Sequence, residues 1–161
     1  MSSVKNEKII DFLNRLGSAS PTPGGGAVAA VCGAMAASLV EMVCELTKTQ
    51  NLQNSKTQST QLRLKLLKLA DEDCKAFDEV MSAYRSKDKG AIKKSLQKAI
   101  DVPGKTALLS NEVLKLAKIV LKKGNKNTFS DAKTAIYLAR AAVKSAGENI
   151  KINSEALAKL P

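Results

Sequence analysis

Four groups of residues in this chain could do chemistry. The first is Asp73. Leu62, Leu66, Leu69, Asp73, Phe77, Val80 and Tyr84 recur at steps of three and four, the spacing of one helix face. A carboxylate on such a stripe is costly to bury unless it is paired or solvated in a cavity. In a cleft its pKa rises toward the range that suits proton transfer. The bland alternative is a structural aspartate that caps a neighbouring helix or pairs with a lysine, and the residues weigh the two evenly. Asp71, Glu72 and Asp78 point elsewhere on that helix and read as solvated. The second group is Ser20-Pro21-Thr22-Pro23-Gly24-Gly25-Gly26, which runs into an uncharged stretch from Ala27 to Val40. Glycines opening onto a helix leave free N–H groups and a positive dipole end, an anion site. Plain tight-turn punctuation is the commoner meaning of such a run. The third is Ser130-Asp131, where helix capping is again the simpler reading. The fourth is Asn149 and Asn153, one turn apart on a shared face with Ser145. That face either lines a pocket or is hydrogen-bonded bundle interior.

Composition removes many other chemistries. With no histidine, acid–base work falls to Asp, Glu, Lys, Tyr or Cys. Cys32, Cys44 and Cys74 are odd in number and lack paired-ligand spacing, so neither a disulfide framework nor a metal site is expected. Their setting is reducing and, by default, cytoplasmic. Gly26 is followed by Ala27 and Val28 rather than Lys-Ser/Thr, so the glycine run is no nucleotide P-loop, and no strand precedes it. The net charge of +11 favours anionic partners. Four arginines stand against 22 lysines, and only five residues are aromatic. That stock is poor for reading or stacking nucleobases, so no nucleic-acid partner is expected. The uncharged run after Gly26 is shorter than a membrane span requires, and no secretory leader precedes Pro21.

The elements that position these groups are all helical. The 161 residues read as one domain, 1–161. Helices are expected over 5–16, over 27–47 (apolar on every side and therefore buried), over 61–86, over 91–123 with a break at Pro103-Gly104, and from Ser130 to about 152. Gly124-Asn125 supplies a left-handed stop, Ser130 an N-cap, and 48–60 a polar connection. No period-two run appears, so the class is an all-α bundle of about five helices with helix two buried.

The combination resembles a known family. Thr22-Pro23-Gly24-Gly25-Gly26 leading into Ala29-Ala30, Gly33-Ala34 and Met42-Val43 is similar to the signature of the formiminotetrahydrofolate cyclodeaminase and methenyltetrahydrofolate cyclohydrolase family. Asp73 with Ala76-Phe77, Ala99 with Val102-Pro103, Gly124-Asn125 with Ser130-Asp131, and Asn149 with Ile152-Asn153 follow in the same order. Members usually carry another long helix beyond the segment that matches Asn149–Asn153, whereas this chain stops at Pro161. The resemblance implies a helical homodimer acting on a reduced folate, without metal or further cofactor. Cyclohydrolase is favoured over ammonia-releasing cyclodeaminase; a non-catalytic scaffold of the same fold and a basic nucleic-acid binder are the weaker alternatives. It also implies a site. Asp73 and Asp131 are the catalytic candidates, and Pro23, Gly24, Gly25, Gly26, Asn125, Ser130, Asn149 and Asn153 the substrate-binding ones. The lysines would favour a polyglutamylated tetrahydrofolate.

Overall fold

The computed structural model describes residues 3–47 and 50–160. Five α-helices carry the chain: α1 (Ile9–Leu16), α2 (Gly25–Glu45), α3 (Gln53–Ser86), α4 (Lys89–Lys123) and α5 (Phe129–Ala158). Short 3-10 turns lie at Val4–Asn6, Gln50–Leu52 and Lys126–Thr128, and no strand occurs among the described residues. The all-α bundle expected from the residues is the architecture observed.

Helix α2 is the hub, packing on α3, α4 and α5. Its small residues make that possible: Ala27, Ala30, Ala36 and Ala37 are fully buried. A Cβ at Gly33 would stand 2.6 Å from Ser110 Oγ of α4 and 3.2 Å from Leu66 of α3, so both neighbours close onto bare backbone. By length and composition α2 could cross a membrane, with a mean hydropathy of 2.0, but 56% of that window is buried inside the chain's own bundle. Burial on every side is not what the structure shows. Three neighbours cannot surround a helix, and Val28, Cys32, Met35, Leu39, Met42 and Leu46 remain half-buried or exposed along its fourth side.

Several boundaries differ from expectation, each for a physical reason. Helix α2 starts at Gly25, so two of the three glycines belong to its first turn rather than to a loop. Helix α3 begins eight residues early, at Gln53. Its buried Ser59 returns its hydroxyl to Ser55 O at 2.8 Å, which lets polar residues pack in a core. Residues 48 and 49 of the polar connection lie outside the described residues. Helix α4 runs unbroken through Pro103 instead of dividing there. Gly124 is extended, with φ −77° and ψ 173°, not left-handed. Space, not backbone freedom, selects it, because a Cβ would stand 2.5 Å from Val120 O and 2.7 Å from Val43 Cγ1. Helix α5 starts at Phe129 with Thr128 in the cap position, so Ser130 sits inside the first turn and is not the N-cap. Asp71 is not free in solvent either. It accepts the Val4 N–H at 2.6 Å and the Ser3 hydroxyl at 2.7 Å, fastening the N-terminal turn to α3.

Two glycine replacements test the packing. Gly124→Ala should cost about 1–3 kcal/mol through overpacking. Gly104→Ala, whose Cβ meets nothing within 4 Å, should gain up to about 1 kcal/mol of helix propensity. Urea unfolding followed by circular dichroism measures both.

Candidate functional site

Helix α2 begins where α3, α4 and α5 continue past it. The space beyond its first turn is a cavity of about 310 Å³. Gly24, Gly25 and Gly26 form its roof, Asp73, Phe77 and Val80 of α3 one wall, and Asn149, Ile152 and Asn153 of α5 the other, with Ala99 of α4 between them.

Asp73 holds the centre. The first N–H groups of a helix have no partner within it, and Gly24, in the cap position, has no side chain to offer. The Asp73 carboxylate reaches across from α3 and accepts the Ala27 N–H. It fits only because residue 26 is glycine: a Cβ there would stand 2.6 Å from Asp73 Cγ. Burial raises the Asp73 pKa to about 6, against the lowering pull of the Ala27 N–H. Both meanings that the residues left open therefore hold at once. Asp73 caps a neighbouring helix, and it is a desolvated carboxyl in a cleft.

The two asparagines are fixed by their nitrogens. Pro103 has no N–H, so the helix leaves the Ala99 carbonyl without its donor. Asn153 Nδ2 donates to Ala99 O at 2.8 Å and fills that vacancy. Asn149 Nδ2 donates to Ser145 O at 2.8 Å. Each amide still has its oxygen to accept, and its second N–H to donate, toward a ligand. Burial pushes the Cys74 thiol up to about 11, and it raises Cys32 and Cys44 as well. None of the three is poised as a thiolate nucleophile.

Of the expected site residues, Gly24, Gly25, Gly26, Asp73, Asn149 and Asn153 come together here. Pro23 is buried behind the wall after a cis Thr22–Pro23 peptide, while Pro21 and Thr22 reach the cavity in its place. Asn125, Ser130 and Asp131 are at the other end of the bundle. Asn125 donates Nδ2 to Leu46 O at 3.1 Å and its N–H to Thr47 Oγ1 at 2.9 Å, beyond the C-terminus of α2. The 21 residues of α2 separate the two places by about 30 Å at 1.5 Å per residue. Phe77, Val80, Ala99 and Ile152 were missed as lining residues. Phe77 gave a signal, one turn after Asp73 on the same stripe, and it is 36% exposed.

A carboxyl titrating near neutrality can take and return a proton. The free amide oxygens and the first N–H groups of α2 can orient a flat, polar ring above it.

Comparison with known proteins bears on the family and the fold. Residues 8–159 match the family model described as formiminotransferase-cyclodeaminase. The chain is 40% identical over 169 residues to a methenyltetrahydrofolate cyclohydrolase from Methylorubrum extorquens, covering 94% of this chain and 81% of that one. It is 29% identical to the formimidoyltransferase-cyclodeaminase of Rattus norvegicus, covering 88% of this chain and 29% of the longer relative. A crystal structure of formiminotetrahydrofolate cyclodeaminase from Thermotoga maritima superimposes with a TM-score of 0.88 at 32% identity, covering 97% of this chain and 82% of that one.

The raised pKa has a thermodynamic consequence. Between the ordinary value of 3.8 and about 6, the folded chain holds a proton that the unfolded chain releases. Stability is then greatest below 3.8 and is lost as pH climbs through 6. Asp73→Asn keeps an acceptor for Ala27 and removes the charge. It should be more stable than the wild type by roughly 2–3 kcal/mol at pH 8, with the gap closing below pH 4. Denaturant midpoints across pH 3.5 to 8 check both the sign and the window.

Proposed function

Since the chain belongs to the formiminotransferase-cyclodeaminase family, we propose that it is a folate enzyme, acting as a methenyltetrahydrofolate cyclohydrolase. The observation that carries this reading is Asp73, a carboxyl with a pKa near 6 beside a helix N-terminus in a cavity walled by amides. The methenyl carbon of 5,10-methenyltetrahydrofolate is already an electrophilic amidinium carbon. It asks the protein for orientation and one proton-transfer group. Ionised Asp73 takes a proton from the attacking water as the C–O bond forms. It returns that proton to N5 as the C–N5 bond breaks. The carbinol proton leaves to solvent, and 10-formyltetrahydrofolate remains. The backbone at Gly24–Gly26 lies against the ring, where the positive end of α2 favours oxygen-rich groups. Asn149 and Asn153 accept from ring N–H groups.

The substrate is itself the reduced folate, and no further cofactor takes part. A polyglutamate tail suits the net charge of +11. The apolar floor at Val80 continues to Leu157 and Leu160, which share the next hollow with Lys89 and Lys93. We place the protein, as a homodimer, in the cytoplasm, where its free thiols stay reduced. The second reading is formiminotetrahydrofolate cyclodeaminase, favoured by the fold match to an enzyme of that name. There Asp73 would move a proton to the departing nitrogen.

Absorbance of the methenyl chromophore separates the two. Loss with methenyltetrahydrofolate identifies the hydrolase, gain with the formimino compound the deaminase, and neither defeats the enzyme reading. For the hydrolase, kcat/KM should fall tenfold per pH unit below about 6, because the base form is the working form. Asp73→Asn should lower kcat by about 10²–10⁴ while remaining folded, and equal rates would remove Asp73 from the mechanism.

A further inference from the structure

We infer that Pro103 is a positioning residue: by leaving the Ala99 carbonyl without its helical donor, it fixes how the Asn153 amide is presented to the cavity. The anchor stands on geometry alone; its part in turnover rests on the folate reading above.

A proline inside a helix forfeits one ladder bond and crowds the preceding turn. In a 35-residue helix that neither ends nor divides there, that loss serves no local purpose. Nor does Pro103 touch the site, since it is buried and forms no part of the cavity wall. What it creates is an acceptor. Ala99, one turn earlier, is only 8% exposed, so water is a poor substitute for the missing N–H, and a buried carbonyl left unpaired is destabilising. Among the described residues, Asn153 of α5 is the side chain that donates to it, at 2.8 Å. Both Ala99 and Asn153 line the cavity.

Asn149 provides the contrast. It lies one turn earlier on α5 and lines the same cavity. Its amide donates to Ser145 O of its own helix at 2.8 Å, a carbonyl that the ladder of α5 already supplies with an N–H. Breaking that bond leaves no group unpaired. Breaking the bond from Asn153 strands a buried carbonyl. Asn153 is therefore held by what Ala99 needs as well as by its own bond.

An amide that turns freely offers oxygen or nitrogen from either position. One held by its nitrogen offers its oxygen and its second N–H in set places. A flat ring with donors and acceptors along its edge is then accepted in one orientation, which keeps the reacting carbon in one place relative to Asp73 on the opposite wall. An alanine at position 103 would restore the missing N–H. Ala99 O would become a shared acceptor like Ser145 O, and the hold on Asn153 would slacken.

Pro103→Ala, Asn153→Ala and the double variant form a cycle with two readouts. In urea unfolding, Asn153→Ala should lower the midpoint, and in the Pro103→Ala background the same replacement should shift it much less. Equal shifts in the two backgrounds overturn the anchor. If Asn153→Ala alone does not fold, a folded double variant reports the same coupling, and an unfolded one overturns it. In the methenyl absorbance assay, Pro103→Ala should lower kcat by about tenfold to a hundredfold, while KM and the pH inflection keep their wild-type positions. A wild-type kcat for Pro103→Ala overturns the positioning role. So does a loss of the same size when Pro103→Ala is added to Asn153→Ala, because the effect would then not pass through the amide. A coupled cycle in urea, in a wild type that converts neither folate, overturns the folate reading and the kinetic role with it, and leaves the anchor standing.

Discussion

The approach of the Asp73 carboxylate to the first turn of α2 is the contact on which the rest of this structure depends. It needs a helix start without a side-chain cap at Gly24, a residue without Cβ at Gly26, and a carboxylate placed by α3 at that level. Given those three, one bond satisfies the orphan N–H of Ala27 and holds an acid in a cleft. Capping and catalysis usually compete as explanations of a buried aspartate. Here one geometry accounts for the cap and also leaves a desolvated carboxyl in the cavity, where the proposed proton transfer would take place, because the helix that needs a cap starts at the cavity.

The electrostatics follow. A carboxylate that accepts a backbone N–H at a helix start normally titrates low. Burial outweighs that pull, and Asp73 settles near 6. The balance costs stability at neutral pH, and it leaves a group that is ionised at working pH yet only a small step from protonation. The amides opposite are held still by bonds to helix carbonyls, so the cavity is arranged before a ligand enters.

Much of this was legible in the residues. Helical periodicity marked the bundle, and the break in the stripe at Asp73 marked the cleft. The glycines were recognisable as a close-approach point, but what approaches them comes from α3, a tertiary fact that no local pattern carries. Pro103 read as a break because its cost is local, while its remedy, Asn153, lies on another helix. Gly124 and Ser130 each had a familiar local meaning, a left-handed stop and a cap. Packing against Val43 and a helix start one residue earlier, at Phe129, displaced both meanings. The motif residues around Asn125 could not be placed by spacing, because a 21-residue helix stands between them and the cavity.

The exchange at Pro103 reaches into heredity. Its missing donor frees the Ala99 carbonyl, and the Asn153 amide takes it up, so two codons fifty positions apart encode one hydrogen bond. A lineage that replaced the proline would restore the helical ladder and release the amide from its anchor; one that replaced the asparagine would strand a carbonyl. The order of change therefore matters: loss of the asparagine first leaves the buried Ala99 carbonyl without a donor, whereas loss of the proline first does not.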